Sequence, residues 1–102
     1  MDYETALKRF LAAVSSRDNA YMKEQYPTLH TRSFYNIRGK RYDKIVKDDG
    51  VSRSVYCFID MATGDILKGS WKQPVAPKVA RGNIYGDQPL TGTTIYGTVY
   101  LR

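Results

Sequence analysis

Histidine, cysteine and tryptophan each occur once in this chain of 102 residues, as His30, Cys57 and Trp71. A single cysteine excludes an internal disulfide and fits a reducing compartment. One histidine and one cysteine cannot supply the four side-chain ligands of an ordinary zinc site. His30 lies in a Pro27-Thr28-Leu29 connector, where a lone histidine is far more often solvated than catalytic. Cys57 falls on the most apolar strand pattern of the chain, where a thiol is inert packing. No apolar run approaches the roughly 20 residues needed to cross a bilayer. The opening, with Asp2 and Glu4 in a helical pattern, is unlike a secretory signal, so the expected place is the cytoplasm. Repeats, low-complexity tracts and linkers are lacking too, so residues 1–102 are expected to form one domain.

One further absence is local. Residues 66–86, ILKGSWKQPVAPKVARGNIYG, hold four cations, two prolines, the lone tryptophan and no acidic residue. Small domains usually interleave their charges, so a one-signed run around Trp71 points to an anion-facing surface. The formal net charge of +6 and the pI near 9.5 agree with an acidic partner. Basic charge can also serve solubility alone. The excess sits in this segment and in residues 32–53, whereas residues 1–26 are balanced. Nine tyrosines against three phenylalanines give the chain rings with polar tips, suited to half-buried sheet faces and to binding surfaces.

Local patterns predict α+β: two N-terminal helices on a small, mainly antiparallel sheet of about four strands. Asp2 is placed to cap the first helix, whose stripe is Leu7, Phe10, Leu11 and Val14. Ser15 and Ser16 interrupt it, and Asp18 then caps a second helix carrying Tyr21, Met22 and Tyr26 before Pro27. This helical front spans residues 1–26; a β-rich body fills 33–102. SFYNIR, RYDKIVK and RSVYCFID read as strands parted by Gly39 and by Asp48-Asp49-Gly50. In the last of these, Val55, Cys57 and Ile59 should point one way, and Tyr56 and Phe58 the other, as in a central strand covered on both faces. A turn with Gly64 at positive φ leads into Ile66-Leu67, completing a three-stranded meander. Pro77 can open a short helical turn ended by Gly82. The tail TTIYGTVYLR reads as a final strand of the sheet, broken at Gly97.

No enzymatic constellation emerges. Asp48 and Asp49 are explained by hairpin chemistry. Asp60 and Asp65 flank the next turn and could pair across it, but a structural role fits them better. Arg38-Gly39-Lys40 has one glycine between cations, and no Walker lysine followed by Ser or Thr. The expectation is therefore a binding protein, not an enzyme, with neither metal nor cofactor. If the meander forms, Arg38, Lys40, Arg41 and Lys44 approach the loop that carries Lys68, Trp71, Lys72, Lys78 and Arg81. The cations would contact successive phosphates, while Trp71, Tyr42 or Tyr85 stacks on a base. The plainer role for Trp71 is to plug one end of the sheet.

SVYCFIDMATGDILKGSWK, VARGNIYG and the closing YGTVYLR resemble a widespread group of small uncharacterised bacteriophage proteins. The shared pattern is a hydrophobic strand, a TGD turn, Ser-Trp-Lys, Arg-Gly-Asn-Ile and a terminal Tyr-Gly…Tyr-Leu-Arg. It covers residues 38–102 and picks out Gly64, Asp65, Ser70, Trp71, Lys72, Arg81, Gly82, Asn83, Tyr96, Gly97, Tyr100 and Arg102; residues 1–26 lie outside it. Where that group has Ala-Ala before Ser-Trp-Lys, this chain has Lys68-Gly69, an added cation. The resemblance implies a viral protein, non-enzymatic, acting in the host cytoplasm or carried in the virion. Joined with the residue reading, it gives a nucleic-acid-binding protein for DNA or RNA with little sequence preference. The alternatives are an inhibitor or adaptor that binds a host protein, a minor virion component, or a nucleotide sponge.

Overall fold

The computed structural model describes residues 1–74 and 79–98. It is α+β, with one N-terminal helix laid across an antiparallel sheet. The helix α1 runs unbroken from Tyr3 to Gln25. Asp2 caps it as expected, its carboxylate accepting from the Thr5 amide at 2.8 Å. The expected break at Ser15-Ser16 does not occur. Serine lowers helix propensity only by about half a kcal/mol per residue, while Ala6, Phe10, Val14, Asp18 and Met22 form one buried ridge at four-residue spacing. Packing of that ridge outweighs the local preference, so one helix stands where two were expected. Asp18 is not a cap: it is buried in the ridge and paired with Arg32, whose Nε donates to it at 2.9 Å.

The main sheet has five strands where about four were expected, in the order β1 (Ser33–Arg38), β2 (Tyr42–Asp48), β3 (Arg53–Asp60), β4 (Asp65–Leu67) and β5 (Gly82–Asn83). Every pairing is antiparallel. The meander forms as the turn signals require. Asp48 and Asp49 accept backbone amides in the β2–β3 turn, and Gly64, at φ 80°, closes the β3–β4 turn. The tail departs from expectation. β6 (Thr93–Thr94) and β7 (Gly97–Thr98) pair only with each other and form a separate two-stranded hairpin packed beside β3. The remainder of the expected tail strand, residues 99–102, lies outside the described residues, as does Pro77 of the expected helical turn.

Register assigns the faces. Ile45 stands opposite Cys57, and Ile59 opposite Ile66; these four join Leu7, Phe10 and Val14 in the core beneath the helix. Between Ile45 and Val46 the β2–β3 register slips by one residue on β3. That bulge turns Tyr56 onto the helix side beside Cys57, contrary to strict alternation. Its ring meets Phe34 edge-on at 5.3 Å and its hydroxyl accepts from Arg17 of the helix at 2.6 Å. Phe58 keeps the other face, opposite Lys44 on one side and Leu67 on the other. The face away from the helix thus carries Ile37, Tyr42, Lys44 and Phe58, with Tyr35, Arg53 and Val55 beyond the bulge.

Candidate functional site

The segment after β4 folds back over this second face. Gly69 bridges to Pro74, Ser70 and Gln73 close the turn between them, and Trp71 stands at its tip. Gly69 lies so close to the Phe58 ring that a Cβ there would collide with it. The indole is 45% exposed, so it does not plug the sheet. Two cations from the sheet approach it: Lys44 Nζ lies 4.3 Å from the ring centroid and the Arg53 guanidinium 5.8 Å. Such contacts are worth about 0.5–1 kcal/mol at exposed sites, enough to hold the ring in place without burying it.

Beside the tryptophan lies a hollow of about 330 Å³. Its apolar floor is Ile37, Tyr42, Phe58 and Pro74; Tyr42 and Phe58 meet edge-on at 6.4 Å. Arg38, Lys40, Arg41, Lys44 and Lys72 form its rim. The β1–β2 hairpin brings four of these cations, two of them in its turn, and the Trp71 loop brings Lys72, so the two basic stretches of the sequence meet at one sheet end. Gly39 sits in this turn with its Cβ direction against the Tyr42 carbonyl oxygen at 2.6 Å, so the tight return of the chain requires glycine there.

The rim cations differ in how far they are committed. Arg38 donates to Glu4 at 2.7 Å and to the buried Asp43 at 2.8 Å; these two carboxylates, Glu4 first, hold its guanidinium charge more firmly than usual. Arg41 is 3.5 Å from Asp60 and lies over the Tyr42 ring at 5.1 Å. Lys40, Lys44 and Lys72 form no ion pair among the described residues, and neither does Arg53. Its neighbour Tyr35, first of all, raises the pKa of Arg53. The site therefore offers unneutralised positive charge next to an exposed indole.

Other residues expected at the site lie elsewhere. Lys68 is half-buried and off the rim. Arg81 turns back on its own loop, donating to the Val79 carbonyl at 2.7 Å. Tyr85 packs over Gly64 at the β3–β4 turn, away from Trp71. Lys78 lies outside the described residues. Arg53 was not among the expected site residues; its only sequence signal is its position opposite Asp48 across a hairpin, which puts it on the Lys44 face.

The groups weighed for catalysis are apart. Cys57 is buried beneath the helix, and burial pushes its thiol pKa well up. Asp60 accepts the Ala62 amide within its own turn, and Asp65 accepts from Asn83 across the β4–β5 pair. His30 is exposed at a second hollow, of about 480 Å³, with Met22, Tyr26, Leu29 and Val51. Among the described residues, no three His, Cys, Asp or Glu side chains converge to hold a metal, and no helix is long and apolar enough to cross a membrane.

The chain belongs to a family of unknown function, DUF7717, whose model matches residues 1–92. The match takes in α1, which lay outside the phage resemblance, and ends before Tyr96 and Gly97. No curated protein and no solved structure matches the chain.

Proposed function

We propose that this protein binds nucleic acid, without catalysis and with little sequence preference, through the sheet face opposite its helix. The observation that carries the reading is the meeting of Lys40, Lys44 and Lys72 around one hollow, beside an exposed Trp71 backed by Arg53. Cations supply sequence-independent attraction to phosphate, and the ring supplies a stacking surface that accepts any base. Arg38 and Arg41 contribute less, because Glu4, Asp43 and Asp60 already offset their charge. The resemblance to small phage proteins carries no known activity; it adds to this reading only a viral protein acting in an infected cell or in the particle.

The test is fluorescence anisotropy of a labelled oligonucleotide over a range of salt concentrations. Three to four phosphate contacts give a log–log slope of about −2 to −3 for a single strand. The triple change of Lys40, Lys44 and Lys72 to Ala should flatten that slope by roughly two units. Affinity that is flat in salt for the unaltered protein would refute the reading.

The second reading, an inhibitor or adaptor docked on a host protein, draws on a different surface. Tyr26, Leu29 and Val51 are 47%, 59% and 97% exposed, and all three border the second hollow. Exposed apolar side chains gathered in this way mark interaction sites. Pull-down from nuclease-treated lysate separates the readings. A partner retained stoichiometrically, and lost with Leu29→Asp, favours the adaptor; loss of all partners on nuclease treatment favours nucleic acid.

A further inference from the structure

Lys44 belongs to two features at once. Its ammonium stands 4.3 Å from the Trp71 centroid, and the same side chain forms part of the hollow's rim. Ring and hollow are therefore separated by no more than one lysine side chain, about the span from a base to its own phosphate. Lys44 and Arg53 both rise from the sheet toward the ring, and with both cations beside it Trp71 still keeps 45% of its surface exposed. A flat ring exposed to this extent offers room for one stacked base.

The hollow adds a second constraint. Its rim is cationic but its floor is apolar, with Ile37 42% exposed and the Tyr42–Phe58 pair beneath. A fully solvated phosphate gains nothing from an apolar floor, whereas a ribose with its phosphate fills both parts. Bases inside a duplex are stacked on both faces and leave Trp71 nothing to meet. We infer that this face takes single-stranded nucleic acid: one base on the exposed part of Trp71, its sugar over the hollow, and the phosphates of that nucleotide and its neighbours at Lys40, Lys44 and Lys72. The inference rests on the nucleic-acid reading and narrows it to unpaired strands.

Trp71 is the only tryptophan, so its fluorescence reports this contact without a label. The experiment titrates the protein with a single-stranded 12-mer, with the duplex of the same sequence, and with inorganic phosphate; anisotropy of a labelled strand is followed in parallel. The expected result is saturable quenching by the single strand, with at least tenfold weaker binding of the duplex and no response to phosphate alone. Trp71→Ala should weaken single-strand binding by about 10- to 100-fold, and Trp71→Phe should restore part of the loss. Circular dichroism and the melting temperature of both variants guard against a folding defect. Duplex bound as tightly as single strand, or strand binding that leaves Trp71 fluorescence unchanged, overturns the inference and leaves general nucleic-acid binding standing. Quenching by phosphate at similar concentration overturns it in favour of a bare anion site. Binding of neither strand nor duplex overturns both readings.

Discussion

Arg17 donates to the Tyr56 hydroxyl at 2.6 Å, and through this contact the helix, the centre of the sheet and the C-terminal hairpin are joined. The same guanidinium reaches the Thr93 hydroxyl at 3.0 Å and the Thr94 carbonyl at 2.9 Å. The Tyr56 hydroxyl in turn donates to the Thr94 carbonyl at 2.5 Å. The β3 bulge makes this possible, because strict alternation would aim Tyr56 away from the helix.

Tyr56→Phe keeps the ring against Phe34 but leaves Arg17 and the Thr94 carbonyl each short of a partner. Loss of stability of about 1–2 kcal/mol is expected in urea unfolding. Amide exchange should quicken in residues 93–98 before it does in the meander. An unchanged midpoint would mean that Arg17 holds the hairpin alone.

The Asp18–Arg32 pair is asymmetric. Asp18 has 2% of its side chain exposed and Arg32 16%. Beside this carboxylate the Arg32 guanidinium holds its proton more tightly than usual. Arg32→Met strands a buried carboxylate and should cost about 3–5 kcal/mol. Asp18→Asn leaves a cation that can turn toward water and should cost less, about 1–2 kcal/mol. Urea midpoints of the two variants check the order. Equal losses, or a larger loss for Asp18→Asn, would mean that burial of the carboxylate is not what governs the pair.

Features set by neighbouring residues were legible in the sequence. The Asp2 cap, the Asp48-Asp49-Gly50 hairpin and the Gly64 turn each depend on residues within a few positions, so composition alone signals them. The misread features are decided over long separations. A serine pair can end a helix only if nothing beyond it is packed, and Asp18 and Met22 extend the buried ridge past Ser15 and Ser16. The bulge at Tyr56 reflects Arg17, 39 positions away in the chain. At the candidate site, the meander was enough to place Lys44 in line with Phe58 and Leu67, where the loop carrying Lys72 begins. Arg53 was missed because its nearness to Trp71 depends on how the 68–74 segment folds back, which no local pattern encodes.

The contact of Tyr3 with Asp43 sets an alkaline limit on stability. Asp43 is fully buried and accepts from Tyr3 at 2.5 Å, from Asn36 at 3.1 Å and from Arg38 at 2.8 Å. Burial, and then the hydrogen bond to Asp43, raise the Tyr3 pKa far above its ordinary value of 10.0. Tyr21 is pushed up to about 12, first by its hydrogen bond with Tyr96. A phenol whose pKa is higher in the folded state contributes stability that is complete below the unfolded value, about 10. As pH rises past that value the unfolded chain ionises first, and the contribution drains away until the folded phenol also titrates. The buried Cys57 thiol is raised in the same way, so urea midpoints measured from pH 7 to pH 11 should begin to fall above about pH 8.5, where the unfolded thiol ionises, and fall more steeply above about pH 10. Tyr3→Phe should lower the plateau by about 1 kcal/mol, through loss of one donor to Asp43, and make the alkaline fall shallower. The slope left in that variant belongs to Cys57, to Tyr21 and to Tyr56, whose pKa burial also raises. If Tyr3→Phe falls as steeply as the unaltered protein, the Tyr3–Asp43 contact is not what couples folding to alkaline pH.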